Sequence, residues 1–230
     1  VSYLSHSVGR DKINRFVQFF AKWLGYQLAR GATDPKALPS TAVLKLQRLE
    51  KAVASARKLM RIGRPIEFLQ NAQNALAVDD PLLRTTGVVR GVAQAVWILF
   101  DSAQWLHTTG LVAWRRPAAV AQRGARAWLL ALLMAVVEGV HRLAANATQL
   151  AYLMQAADAA GRNSPASTAS PPRPPRITAL LAQRRQLRLQ LVQDLVDLVI
   201  PATGAGYLAA SAGTVGLAGT ITSLMGGYTL

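Results

Sequence analysis

The sequence predicts an all-α, membrane-associated helical bundle. Its N-terminal helices are amphipathic, and its C-terminal end forms a glycine-rich apolar helical hairpin. Three observations predict this. Apolar residues recur at three- and four-residue steps along much of the chain, the period of a helix and not of a strand. Charged residues are 16% of the 230 positions, apolar ones are 51%, and mean hydropathy is +0.21. A soluble domain carries roughly 25% charged residues, so part of this chain must face lipid or a partner. The formal net charge is nevertheless +15. Hydrophobicity combined with positive charge fits an anionic membrane surface, where each Lys or Arg contributes about 1 kcal/mol.

The first helix is expected over residues 11–30, with Ile13, Phe16, Val17, Phe20, Leu24 and Leu28 on one stripe and Lys12, Arg15 and Lys22 largely off it. Gly31 ends it, and a loop with two prolines follows. The second helix should run from about Ser40 to Arg64, with seven basic residues against the single acid Glu50. Pro65 disfavours the helical conformation of its predecessor, so a kink or a new start is expected there. Across that break, Leu59, Ile62, Ile66 and Leu69 keep one helical stripe. Asp79 and Asp80 read as a turn and helix cap. A third helix follows over about Gly87–Trp114, and a fourth over about Ala119–Ala157. The fourth contains AWLLALLMAVV, an apolar run ended after 11 residues by Glu138. That run is shorter than the roughly 20 residues a bilayer crossing needs.

The composition changes at residues 161–176, GRNSPASTASPPRPPR, which carry no apolar period and read as a disordered linker. The expected organisation is therefore 1–160, amphipathic and apolar helices; 161–176, linker; and 177–230, a membrane-embedded helical hairpin. From Leu198 to Leu230 there is no charged residue. Gly213, Gly216 and Gly219 stud this run, and Gly219, Ser223 and Gly227 form a small-residue face at four-residue steps. Small residues let helices approach closely, so these five are expected to serve helix packing and self-association into a homo-oligomer.

No catalytic chemistry is expected. The chain has no cysteine, which excludes disulfides, cysteine-ligated zinc and thiol nucleophiles. His6, His107 and His141 stand apart without metal-ligand spacing, and no phosphate-loop, dinucleotide or nucleophile-elbow motif occurs. No metal or cofactor is called for. The polar candidates are Asp101 and Glu138 inside apolar helices, and Asp194 and Asp197 beside an apolar run. Residues 1–64 hold 13 basic against 3 acidic residues. Nucleic-acid binding by this segment lacks interleaved aromatics and any accompanying motif. An interfacial helix on an anionic phospholipid membrane fits better, because the same segment carries a coherent apolar stripe.

Three stretches carry a family resemblance: GRDKINRFVQFFAKWL near the start, ARKLMRIGRPIEFLQNA at 56–72, and DLVIPATGAGYLAASAGTVGLAGTITSLMG at 197–226. Together they resemble the peroxin-eleven family, particularly its fungal members. The resemblance spans the chain apart from the linker. It implies a peroxisomal membrane protein that oligomerises and elongates the membrane through an amphipathic helix. It also implies recruitment of a fission machinery, a dynamin-like GTPase with a tail-anchored adaptor. The family's membrane-binding segment maps onto Arg57, Lys58, Leu59, Arg61, Ile62, Arg64, Ile66 and Leu69. Pro65 departs from an unbroken helix there. The function expected is peroxisome elongation, proliferation and fission. The alternative is a solute channel, with Asp101 or Glu138 in its lumen.

Overall fold

A computed structural model describes residues 7–31, 40–162 and 175–228. Among these residues the fold is all-α, in agreement with the helical period. The helices are α1 (Ser7–Arg30), α2 (Thr41–Met60), α3 (Arg64–Ala75), α4 (Pro81–Thr108), α5 (Pro117–Arg162), α6 (Pro175–Asp197), α7 (Val199–Gly204) and α8 (Ala212–Tyr228). The linker falls largely outside the described residues: α5 continues to Arg162 and α6 starts at Pro175.

Local chemistry sets the boundaries. Ser40 caps α2, its hydroxyl accepting from Val43 N at 3.3 Å. Pro65 sits in the first turn of α3, where its missing N–H costs nothing, so the expected break is a new start after a short turn. Asp80 caps α4 by accepting from Leu82 N at 2.8 Å and Leu83 N at 3.1 Å. The helix therefore begins at Pro81, six residues before its expected start. Glu138 ends the apolar run but not α5, as the expected helix over Ala119–Ala157 required. Its charge is neutralised by Arg90 and Arg142, and the helix runs on through it.

The helices pack in a closed circuit. α1 lies against α2 and α8, α2 also meets α4, α4 packs on α3 and α5, and α5 packs on α6, which meets α8. Residues on both sides of the linker thus share one bundle. α3 lies close on α4 because Gly91 admits it: a Cβ there would meet Phe68 O at 2.7 Å and Ala72 Cβ at 2.8 Å. Phe68, Ala95 and Ile98 form a buried core beside this contact, with Trp97 packed against it. Trp97 stacks on Trp128 at 4.6 Å between centroids, joining α4 to α5. A second core of Leu150, Ile177 and Leu180 holds α6 to α5.

Candidate membrane-binding surface

Residues 57–69 leave α2, pass through the turn at 61–63 and enter α3. Their four aliphatic side chains all face outward. Leu59 is 50% exposed, Ile62 43%, Ile66 66% and Leu69 50%. Met60 and Leu76, which the sequence reading left out, extend the same exposed surface.

The basic residues behave differently. Arg57 and Arg61 are buried, at 6% and 9% exposure. Arg57 donates from Nε to Asp11 Oδ1 at 2.9 Å and from Nη1 to Gln18 Oε1 at 2.6 Å. Arg61 donates from Nη2 to Asp101 Oδ2 at 2.8 Å and lies over the Trp97 ring, 5.3 Å from its centroid. Lys58 Nζ reaches Gln104 at 3.0 Å and Asp101 Oδ1 at 3.3 Å. Of the four bases, Arg64 alone keeps to the surface, over Phe68 and 3.5 Å from Glu67. Arg57, Lys58 and Arg61 thus have carboxylate partners within the fold, where the sequence reading had set them toward lipid phosphates.

The physical reason is the cost of burial. A buried guanidinium without a counter-ion loses several kcal/mol of hydration, so it is retained only where a carboxylate and further hydrogen bonds meet it. Burial pushes the Asp11 carboxyl up, but the hydrogen bond and charge of Arg57, with Arg61 and Arg64 nearby, outweigh it and hold the group below the usual carboxylate range.

α1 shows the same orientation. Ile13, Phe20 and Leu28 are exposed, whereas Arg15 is buried and ion-paired with Asp197 of α6. Lys22 reaches Glu50 of α2 at 2.8 Å. Gln193 and Asp194 are buried beside Asp197. Ion-paired side chains therefore line a seam between α1, α2, α4 and α6, while Lys45, Arg48 and Lys51 of α2 are exposed among exposed aliphatic side chains. Buried ion pairs of this kind are one way helices hold ionisable side chains beside a bilayer.

α5 completes the apolar exterior. It is the one helix among the described residues long and apolar enough to cross a membrane, over Pro117–Ala159, and 11% of its most apolar window is buried. A core helix of a soluble protein would be mostly buried. Leu130, Leu133, Val137 and Val140 point outward, between Arg123 and Arg126 at one end and Arg142 at the other. Fifteen residues from 127 to 141 rise about 23 Å, short of the roughly 30 Å hydrocarbon core, so a crossing would also draw in the flanking turns of this long helix. Inside the bundle Glu138 accepts from Arg90 at 3.1 Å and from Arg142 at 2.7 Å. Asp101 and Glu138 are thereby both occupied by cations.

The C-terminal glycines pack against α1. An added Cβ would lie 2.3 Å from the Tyr26 ring at Gly213, 2.7 Å from Trp23 N at Gly216, and 2.2 Å from the Phe19 ring at Gly219. Ser223 is buried, and its hydroxyl donates to Gly219 O. Self-association through Gly213, Gly216 and Gly219 would require α8 to leave α1. Gly227 lies at the far end of α8 and is half-buried.

Among the described residues no group of three or more His, Asp or Glu side chains can hold a metal ion. His141 Nε2 meets Asp80 Oδ2 at 2.7 Å, tying α5 to the α4 cap.

The chain is 26% identical to bovine peroxisomal membrane protein 11A over 158 residues, covering 66% of this chain and 60% of that protein. It is 25% identical to the mouse 11A protein, covering 96% and 91%. It is 25% identical to peroxisomal biogenesis factor 11 of Schizosaccharomyces pombe, covering 98% and 90%. No solved structure matches it. The profile of peroxisomal biogenesis factor 11 matches residues 1–230. The chain therefore belongs to the peroxisomal biogenesis factor 11 family and is a protein of the peroxisomal membrane.

Proposed function

We propose that the chain elongates the peroxisomal membrane by inserting the apolar surface of residues 59–76 into one leaflet, so promoting peroxisome proliferation and fission. The observation that carries this reading is the outward orientation of Leu59, Met60, Ile62, Ile66, Leu69 and Leu76 beside a buried ion-paired seam. Each such side chain gains roughly 1.5–3 kcal/mol on full burial in hydrocarbon. A short break at 61–63 followed by a second helix gives a shallow wedge and not a spanning rod. α5 supplies the anchor, and α8 packed on α1 ties the wedge to it. Copies of the chain would concentrate wedges by self-association. Recruitment of a dynamin-like GTPase and its tail-anchored adaptor completes the proposal.

The test exploits the exposure of the wedge residues. Ile62→Glu with Leu69→Glu removes no core contact, so the protein should fold and stay on the membrane through α5. Tubulation of anionic liposomes should fail. If the double variant tubulates as well as wild type, the wedge lies elsewhere. A solute channel is the second reading, favoured by the polar seam itself. Its charges are closed on one another by Asp11, Asp101 and Asp197, which leaves it the weaker of the two. Conductance in planar bilayers that survives in the double Glu variant while tubulation is lost would assign both activities.

A further inference from the structure

α6 carries Arg184, Arg185 and Arg188 within about one and a half turns. With Leu181 and Leu189 they wall an open cavity of about 370 Å³. The buried cations of the seam are each matched: Arg15 by Asp197, Arg57 by Asp11, Arg61 by Asp101. The cluster on α6 is not. Among the described residues no carboxylate forms an ion pair with any of the three. Arg185 donates to the Tyr228 hydroxyl at 3.1 Å. Arg184 Nε is closed off from solvent and has no acceptor. Arg184 is half-buried and Arg185 and Arg188 are exposed, so the cluster is an open cationic surface with one unsatisfied buried donor, which an anion from outside can reach.

The height of the cluster suggests which anion. Asn146 of α5 bonds Leu180 O at 3.2 Å and Gln183 Oε1 at 3.1 Å. Leu191 lies against Gly139. Residues 184–188 therefore stand level with Arg142, at the end of the outward apolar band of α5. On α6 that band continues through Val192 and Leu195, both exposed. Basic side chains where an apolar band ends stand at lipid phosphates.

We propose that Arg184, Arg185 and Arg188 bind the phosphate of an anionic phospholipid headgroup, and a phosphomonoester in preference to a phosphodiester. Guanidinium forks meet phosphate oxygens bidentately, and three of them suit a group with three unsubstituted oxygens. A phosphomonoester carries about −1.5 to −2 charges near neutral pH, against one on a phosphodiester. The site is on a different helix from the proposed wedge, and its occupancy does not depend on whether the membrane bends.

The experiment titrates the detergent-solubilised full chain with dioctanoyl phosphatidic acid, dioctanoyl phosphatidylserine and inorganic phosphate by calorimetry. Phosphatidic acid should bind about tenfold more tightly than either of the others, the difference of one charged hydrogen bond. Arg184→Gln with Arg188→Gln should weaken it by at least about tenfold. Arg115→Gln with Arg116→Gln, an equal loss of charge at exposed positions, should leave it within about twofold. Phosphatidylserine binding as tightly as phosphatidic acid overturns the preference. Inorganic phosphate binding equally well makes the site one for a soluble anion and overturns the lipid assignment. Equal losses in the two double variants reduce the effect to overall charge and overturn the site. The comparison of the three probes on wild type decides the matter even if a variant folds poorly.

Discussion

Asp11 and Arg57 show how a single charge pair sets the surface of this protein. If Arg57 were left without a carboxylate it would turn outward, and the helix would rotate its aliphatic side chains away from lipid. Asp11→Asn should therefore destabilise the chain by about 2 kcal/mol, discounted for the partial exposure of Asp11. The pH dependence follows from the sign of the shift. The folded carboxyl lies below its ordinary value, so the pair contributes stability above the unfolded carboxyl range. That contribution is lost as pH falls through the folded value. Thermal unfolding in detergent, compared at neutral pH and at about pH 2, below the ordinary carboxylate range, checks both statements; a variant as stable as wild type at neutral pH refutes them. Asp80 shifts downward too, through the Leu83 backbone N–H first and then His141. Asp80→Ala should lower stability through the lost cap alone, read from the same melts. Residues of this kind were partly legible. Asp101, Glu138 and Asp197 stand out in the sequence as charges in apolar surroundings. Their partners do not, because Arg61 is 40 residues from Asp101 and Arg15 is 182 from Asp197. Helical period shows which face a residue shares, but not which distant helix will lie against it.

At the scale of elements, α8 and α1 carry the contact that periodicity could not assign. Small residues at 213, 216 and 219 announce a close helix approach, but a stripe of glycines does not say whether the neighbour belongs to the same chain. The aromatic series Phe19, Trp23 and Tyr26 at three- and four-residue steps is the complementary surface. It was visible in the sequence only as part of a generally apolar helix. The Gly219 position permits a clean test. A methyl there would lie 2.2–2.5 Å from three atoms of the Phe19 ring, including its first ring carbon, so the ring or the helix must shift. Gly219→Ala should destabilise the chain by about 1–3 kcal/mol. Phe19→Ala introduced with it should recover much of that loss, since the overlapping ring is gone. The double-mutant cycle in detergent melts measures this coupling. Additive losses would place α8 against something other than α1 in the membrane, and would return the glycines to self-association. Elsewhere the elements were well anticipated. The break at Pro65 and the cap at Asp80 each rest on backbone chemistry that acts within a few residues, whereas α4 ends at Thr108, six residues short of the expected Trp114. Glu138 marked the end of an apolar run in the sequence, but its partners Arg90 on α4 and Arg142 one turn on were not legible as such.

For the whole molecule, composition and architecture point the same way. A chain with 51% apolar and 16% charged residues leaves much aliphatic surface exposed, and the bundle buries Arg15, Arg57 and Arg61 against carboxylates between its helices. The ion pairs then act as the glue between helices, because aliphatic contact alone gives no preference for protein over lipid inside a bilayer. The orientation of α5 is the point on which this arrangement stands or falls. Its absence of cysteine makes the chain suited to accessibility scanning, since every introduced thiol is the sole one. Single substitutions Leu130→Cys, Leu133→Cys and Val137→Cys replace exposed side chains of the apolar band, so folding should be preserved. Arg116→Cys and Tyr152→Cys replace exposed residues beyond its two ends. In the protein reconstituted into liposomes, a membrane-impermeant maleimide should label the two outer positions and spare the three inner ones, by at least about tenfold in rate, because a thiol in hydrocarbon neither ionises nor meets the reagent. After solubilisation in denaturant all five should react alike. Crossing, as opposed to lying flat, is separated by sidedness. With reagent outside only, one of positions 116 and 152 should label in each orientation of the chain, and the other only after the vesicles are opened. If both outer positions label fully from outside in a population of one orientation, α5 lies along the surface. If Leu133→Cys labels as fast as Arg116→Cys, the apolar band is covered by water and α5 is no anchor.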